Sequence, residues 1–152
     1  AEIYRALMEA TAFGARVIME RYEEFGCTAK RIVNGGGIAA KNPVAMQIYA
    51  DIMARPIAVT RSQQTCALGA AIAGAVVAGK AAGGFDNFAD AIAVMGSPAD
   101  RTFTPNPAAV EVYNKLYRLY RRLHDAFGVA NHAEKLGDVM KELLTIRDAA
   151  KK

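Results

Sequence analysis

Three consecutive glycines at residues 35–37 lie between a short apolar segment and a clear helix start, a place where a chain can bind a ligand carrying phosphate or ribose. Ile32 and Val33 are β-branched and predict a strand. Glycine lets the main chain turn sharply and lets a ligand come close to it. Asn42 and Pro43 predict the next helix start, because Asn accepts from free amides and Pro lacks the N–H that would stay unpaired. A strand, a glycine turn and a helix N-terminus together can hold an anionic or ribose-bearing ligand.

The glycine spacing by itself leaves two interpretations open. It is not a phosphate-binding loop of the G-x-x-x-x-G-K-[ST] type, because Lys41 has neither Ser nor Thr behind it, and it is not G-x-G-x-x-G. A tight turn without any ligand explains three glycines as well as a nucleotide site does. The residues around the turn have to decide between the two.

Acidic and histidine side chains outside this segment give no catalytic arrangement. No aspartate follows a glycine-rich or strand-end segment that would direct it at a substrate. His124 and His132 have no Ser, Cys or Asp partner at a spacing typical of general-base catalysis. We therefore predict no catalytic residue and no metal ligand in this chain. The aspartates considered are Asp51, Asp86, Asp90, Asp100, Asp125, Asp138 and Asp148.

Composition predicts that the chain forms a hydrophobic core, and its first residues predict that it is part of a larger protein. Of its 152 residues 53% are apolar and 22% charged, which suffices for a hydrophobic core. Ala1 opens directly in a helical pattern without an initiator Met, so we expect a longer parent. The most apolar run, residues 66–78, is too short and too rich in Ala and Gly to predict a membrane span or a leader peptide. Cys27 and Cys66 predict two reduced thiols and a cytoplasmic location.

The net charge of +4 raises the question of nucleic-acid binding. Lys115, Arg118, Arg121 and Arg122 form the best basic cluster. They alternate with aromatic and leucine residues at steps of three and four, which is the pattern of an amphipathic helix beginning at the cap residue Asn106. An apolar stripe facing a core, with solvated cations opposite, explains this pattern, so we predict no nucleic-acid partner.

The spacing of apolar residues and the positions of glycine, proline and cap residues predict a helix-rich α/β fold. The predicted strands are 30–33 and 56–59, and strand–helix–strand order with short loops favours a parallel pair joined by a right-handed crossover. The last helix is predicted to begin at Asn131, with Glu134 in capping-box spacing. The residues from Gly96 to Pro98 predict a boundary between segments 1–97 and 98–152. The predicted helices are 2–25, 43–53, 64–79, 87–95, 107–127 and 132–149.

Four ordered blocks resemble the C-terminal domain of the FGGY carbohydrate kinases, relatives of actin and hexokinase. They are the glycine turn, the helix MQIYADIM at 46–53, the strand RPIAV at 55–59 and the helix ALGAA at 67–71. Residues 10–20, ATAFGARVIME, and 36–43, GGIAAKNP, resemble the branch of the family that acts on L-ribulose. The resemblance covers about residues 1–128. It implies a partial ribonuclease-H-like ATPase domain, with 1–97 as its nucleotide-binding portion and 98–152 as a helical extension.

The resemblance also implies a ligand and a set of contacts. ATP with Mg²⁺ would be the cofactor, with the backbone of Gly35 and Gly36 beside the phosphates and ribose, Gly37 completing the turn and Asn42 near the adenine. Asn42 as a helix cap alone is the alternative. The N-terminus of the next helix, at Gln64 or Thr65, would form a wall of the pocket.

The likeness to the L-ribulose branch implies transfer of the ATP γ-phosphate to the terminal hydroxyl of L-ribulose, in L-arabinose catabolism. The sugar would be held mainly by the N-terminal domain, which also carries the catalytic base, so the chain alone is expected to be inactive. Its exposed sheet edge would favour homo-oligomers. The alternatives are a xylulose or glycerol kinase of the same family, or a helical interaction module whose glycines are only turns.

Overall fold

The computed structural model describes residues 1–96 and 99–151. Most helix bounds lie within one or two residues of those predicted from sequence. The elements in chain order are α1 (Glu2–Glu24), β1 (Ile32–Asn34), α2 (Gly37–Lys41), α3 (Pro43–Met53), β2 (Ile57–Thr60), α4 (Thr65–Ala78), a 3₁₀ turn (Lys80–Ala82), α5 (Phe88–Met95), β3 (Ala99–Phe103), α6 (Pro107–Gly128) and α7 (Val139–Ala149).

A small mixed sheet of order β1-β2-β3 confirms the helix-rich α/β fold class. β1 and β2 run parallel, with Ile32 opposite Ile57, as the strand–helix–strand pattern predicted. Alternate residues of β2 point to a buried face, where Ile57 and Val59 are almost fully enclosed. The burial of these two β-branched side chains anchors the middle of the sheet.

The third strand was not predicted. β3 pairs antiparallel with β2, with Phe103 opposite Ile57 and Arg101 opposite Val59. Its sequence, ADRTF, lacks the alternation of apolar and polar residues by which a strand is recognised. Only pairing with a strand about 40 residues earlier makes it a strand, and such nonlocal pairing leaves no local signal. The boundary predicted between residues 97 and 98 lies outside the described residues and stays a prediction.

The chain divides into two compact units, each with its own buried residues. Unit 1 comprises Ala1–Ala29, Ile48–Arg55 and Pro105–Lys152, and unit 2 comprises Lys30–Gln47 and Pro56–Thr104. Unit 2 contains the sheet and the glycine turn. Its buried apolar residues are Ala39, Ala45, Met46, Ile57, Val59, Ile72 and Ala91.

Unit 1 has an aromatic core between α1 and α6. The ring of Phe13 lies 6.2 Å from that of Tyr113 and 5.9 Å from that of Tyr117, and the buried cluster also includes Ala12 and Ile52. Aromatic pairs at this separation add to the stabilisation that burial gives. The apolar stripe read from the sequence of α6 therefore faces a core.

Arg16 connects three parts of unit 1. One Nη donates to the main-chain carbonyl of Ile52 at 2.9 Å and to the side-chain oxygen of Asn114 at 2.8 Å. Its Nε donates to Glu20 at 3.1 Å, and its guanidinium stacks 4.1 Å from the ring centre of Tyr117. A planar, multiply donating group can make all four contacts at once, and a lysine could not.

The basic cluster of α6 is engaged within unit 1. Arg118 pairs with Glu142, and Arg121 pairs with Asp125 at 3.5 Å. Arg122 contacts Glu134, and its Nη2 lies 2.8 Å from Asp138. The arginines are thus neutralised by carboxylates of the same unit, which supports the amphipathic-helix interpretation of this cluster over a nucleic-acid site.

The predicted start of the last helix is wrong. α7 begins at Val139, and Asn131 has φ 61°, a left-handed conformation that cannot begin a right-handed helix. Glu134 does not close a capping box, because its carboxylate contacts Arg122. Separate hydrogen bonds from Arg122 to Glu134 and to Asp138 lower the pKa of each carboxyl group below its ordinary value. Long-range ion pairing therefore outweighs the local capping signal.

Candidate functional site

The candidate site lies in unit 2, at the edge of the sheet where the parallel strands end. β1 is followed directly by the glycine turn, and β2 is followed by a short loop that leads into α4 at Thr65. Because the strands are parallel, both connections leave the sheet at the same edge. Ligands of open α/β sheets bind outside the carboxyl ends of the strands, so this edge is the expected position for a nucleotide.

The three glycines have three different environments. Gly36 has φ 93° and ψ 179°, a conformation open almost only to glycine, and it forms the N-cap of α2. Gly37 is the first residue of that helix. At both positions a Cβ atom would meet nothing within 4 Å. Gly36 and Gly37 therefore present bare main chain to open space, as a site for a closely approaching ligand requires.

Gly35 is exposed, but a side chain at this position would point at neighbouring side chains. A Cβ atom there would lie 2.5 Å from Cγ2 of Thr65 and 3.2 Å from Oγ1 of Thr60. Glycine is therefore needed at this position because the neighbouring side chains leave no room. The resemblance implied that the main chain of Gly35 and Gly36 lies beside the nucleotide and that Gly37 completes the turn, and it did not distinguish the obstructed Gly35 from the open Gly36 and Gly37.

Asn42 caps α3, one of the two roles predicted for it. Its side-chain oxygen accepts from the amide of Ala45 at 3.0 Å. The amide of Asn42 in turn donates to the carbonyl of Ile38 and ends α2, a five-residue helix that the sequence did not predict. The adenine contact of Asn42 stays a prediction.

Further contacts hold α2 and α3 against the rest of unit 2. Arg101 of β3 donates to the carbonyl of Ala40 at 2.7 Å, and Gln47 donates to the carbonyl of Thr104 at 2.9 Å. The strand missed from the sequence therefore helps to fix the helix that follows the glycine turn. Arg101 and Thr60 are supporting residues that sequence reasoning missed. For Thr60 the sequence did offer a signal, because Thr60 directly follows the predicted parallel strand 56–59.

The carboxylates and histidines have structural partners. Asp51 is buried and accepts from the amide of Asn106 at 2.7 Å, which ties α3 to the start of α6. His124 lies 2.9 Å from Asp125, and His132 lies 3.4 Å from Glu134. Among residues 1–96 and 99–151, no group of three or more His, Cys, Asp or Glu side chains could hold a metal ion.

A separate cavity of about 720 Å³ lies in unit 1, between the last turns of α1 and α6. It is a poor candidate for an anionic ligand, because its arginine and histidine side chains already contact carboxylates. Arg21 pairs with Glu24, and both Arg121 and His124 contact Asp125. The cavity is lined by Val17, Ile18, Arg21, Tyr22, Glu24, Phe25, Arg121, His124 and Val129.

A family model described as "FGGY family of carbohydrate kinases, C-terminal domain" matches residues 1–78, which include the glycine turn and all of α4. The chain belongs to the FGGY family of carbohydrate kinases. This confirms the resemblance drawn from the four sequence blocks. In the described part of this FGGY chain, no helix combines the length and the apolar character that crossing a membrane requires.

Curated relatives of this FGGY chain include ribulokinases. That of Bacillus licheniformis is 42% identical over 95% of this chain, and that of Halalkalibacterium halodurans is 44% identical over 96%. The matches cover 26% and 25% of those proteins, so the chain spans about a quarter of the length of the relatives it matches.

Solved structures agree on the fold. A xylulose kinase from Rhodospirillum rubrum matches with a TM-score of 0.65 and 28% identity, covering 82% of this chain and 24% of that one. A xylulose kinase from Lactobacillus acidophilus has the same TM-score at 23% identity, covering 85% and 25%, and supports the fold alone. The ribonuclease-H-like kinase fold is thereby confirmed.

Proposed function

We propose that this chain is the ATP-binding C-terminal part of an L-ribulokinase-like enzyme, which transfers the γ-phosphate of ATP to the terminal hydroxyl of L-ribulose in L-arabinose catabolism. Identities of 41–44% to the first five ribulokinases support this branch over xylulose kinase, whose solved relatives are 23–28% identical. A glycerol kinase is the remaining alternative within the family.

The observation that carries the proposal is the open main chain of Gly36 and Gly37 at the carboxyl edge of two parallel strands. We assign the backbone of these residues to the phosphates and ribose of the nucleotide. Gly35 belongs to the same turn, and Asn42 lies close to the adenine while it caps α3. Backbone N–H groups at a helix start suit negative charge, so the turn orients the nucleotide without a charged side chain.

The residues of this chain bind and orient the nucleotide. The group that takes the proton from the sugar hydroxyl is not among them. Asp51 is committed to the amide of Asn106, and the other carboxylates of the described residues form no cluster at the turn. We therefore place the catalytic base and most sugar contacts outside these 152 residues. Mg²⁺ would accompany the nucleotide phosphates and neutralise their charge. The described residues do not fit a resident Mg²⁺ site of their own.

Two further parts of the proposal concern the cell and the assembly. Cys27 and Cys66 are both unpaired and exposed, which suits the reducing cytoplasm. β1 is an edge strand of the described sheet, and Val33 within it is 42% exposed. This edge could pair with another strand, either from the same polypeptide or from a second copy.

Titration of the chain with a non-hydrolysable ATP analogue, followed by calorimetry, tests the binding role. Gly37→Leu should weaken binding at least about tenfold, because its side chain would occupy the open space beside the turn. Gly69→Leu is the matched control, since Gly69 is exposed in α4 with nothing within 4 Å. The absence of binding by the unaltered chain would favour the interaction module.

Phosphate transfer needs a different test. A full-length protein containing these residues should release ADP fastest with L-ribulose. Equal or faster release with D-xylulose or glycerol would move the assignment to another branch of the family.

A further inference from the structure

Gly35 differs from Gly36 in why it must be glycine. Its φ does not lie in the left-handed region, so the backbone alone would accept another residue. The obstacle is the side chain of Thr65, whose Cγ2 and Oγ1 would lie 2.5 and 3.2 Å from a Cβ atom at position 35. Real Cβ atoms do not approach carbon within 3.0 Å, so position 35 and Thr65 form a tight pair.

The segment behind Thr65 is fixed by its own hydrogen bonds. The hydroxyl of Thr60 donates to the carbonyl of Ser62 at 3.1 Å, and the hydroxyl of Ser62 accepts from the amide of Gln64 at 3.2 Å. The carbonyl of Gln64 then accepts from the amide of Leu68 in the first turn of α4. These bonds hold the connection from β2 to α4 in place. The side chain of Thr65 therefore limits how closely the glycine turn can approach the start of α4.

We infer that Thr65 is a positioning residue for the nucleotide, acting through Gly35. Its side chain sets how closely the glycine turn approaches the start of α4, and thereby where the bare main chain of Gly36 and Gly37 lies. The inference rests on the proposed function for the identity of the ligand, a nucleoside triphosphate. It adds a residue whose effect is exerted through packing and not through contact with the ligand.

The geometry predicts how substitutions at positions 35 and 65 combine. Gly35→Ala alone drives its methyl group into Thr65 and displaces the turn. Thr65→Ala removes both Cγ2 and Oγ1, the two atoms of Thr65 within 3.2 Å, so the methyl group then meets only Oγ1 of Thr60 at 3.2 Å, which a shift of a few tenths of an ångström relieves. The substitutions should therefore compensate each other, as they do for residues in direct contact. Thr65→Ser removes only the nearer atom and should compensate partly.

The test uses the 152-residue chain and two readouts. The first is the position of the amide resonances of Gly36 and Gly37 in ¹H–¹⁵N spectra without ligand. The second is the affinity for a non-hydrolysable ATP analogue. Gly35→Ala should shift both amides and weaken affinity about tenfold, and adding Thr65→Ala should recover about fivefold or more of that loss. Gly69→Ala, on an exposed face of the same helix, should change neither readout.

Each outcome decides one question. Unshifted amides and unchanged affinity in Gly35→Ala overturn the inference, as does a double variant that recovers nothing. If Gly35→Ala fails to fold, recovery of folding by Thr65→Ala supports the pairing and failure of the double variant overturns it. If the unaltered chain binds no nucleotide while the amide shifts still compensate, the proposed function fails and the positioning of the turn by Thr65 stands.

Discussion

Gly36→Ala separates conformational strain from ligand contact at the glycine turn. At φ 93° and ψ 179°, a residue with a Cβ atom is strained by roughly 1–3 kcal/mol. Nothing within 4 Å would collide with the added methyl group, so strain is the whole native-state cost. The lower entropy of the unfolded alanine chain offsets roughly 0.4–1 kcal/mol of it. A net loss of about 1–2 kcal/mol in the free energy of unfolding follows.

Gly37→Ala is the matched variant. Gly37 also has open space around it, but its φ is not left-handed and it begins α2, where alanine is a better helix former than glycine. We expect Gly36→Ala to lower the melting temperature by about 3–6 °C and Gly37→Ala to leave it unchanged or raise it slightly, since 1 kcal/mol shifts a domain of this size by about 2–4 °C. Thermal unfolding followed by circular dichroism measures both.

Gly36→Ala and Gly37→Ala are also compared by their affinity for the nucleotide. Gly37→Ala places a methyl group in the space assigned to the ligand, so it should weaken binding of the ATP analogue without a loss of stability. A Gly36→Ala variant that melts within 1 °C of the unaltered chain, by the same scale of about 2–4 °C per kcal/mol, would refute the strain argument. A Gly37→Ala variant with full affinity would remove this face of the turn from the binding site.

Two further predictions concern unit 1. Arg16→Lys should lower the free energy of unfolding in urea by about 2 kcal/mol, because an ammonium that bonds Ile52 and Asn114 cannot also replace the Nε bond to Glu20 and the planar stacking on Tyr117; a loss below about 0.5 kcal/mol would contradict this. Burial, helped by a hydrogen bond to Glu20, raises the pKa of Tyr117 to about 12. The pKa of Tyr117 in the folded protein exceeds the unfolded value near 10, so its neutral hydroxyl contributes fully to stability below pH 10, and this contribution is lost between about pH 10 and 12. Tyr117→Phe should therefore flatten the fall of the free energy of unfolding at alkaline pH. Parallel curves of stability against pH for the two proteins would show the shift to be absent.

Family membership could be predicted because it is written in ordered local blocks. The glycine turn, the ALGAA helix and the segments between them follow one another in the order that the resemblance requires, and the family model matches this region. The caps at Asn42 and Asn106 were readable for the same reason, since each bond joins residues two or three apart. The third strand and the start of α7 were not readable.

The sequence by itself determined most of the helix bounds, the parallel strand pair and the place of the turn, because those depend on side-chain period and on neighbours within one helical turn. The tertiary structure alone decided that β3 pairs with β2, that Arg122 takes Glu134 away from a helix cap, and that Gly35 packs on Thr65 while Gly36 and Gly37 stay open. Each of these joins residues at least 12 positions apart. Such contacts depend on how the elements pack in space, which local pattern does not encode.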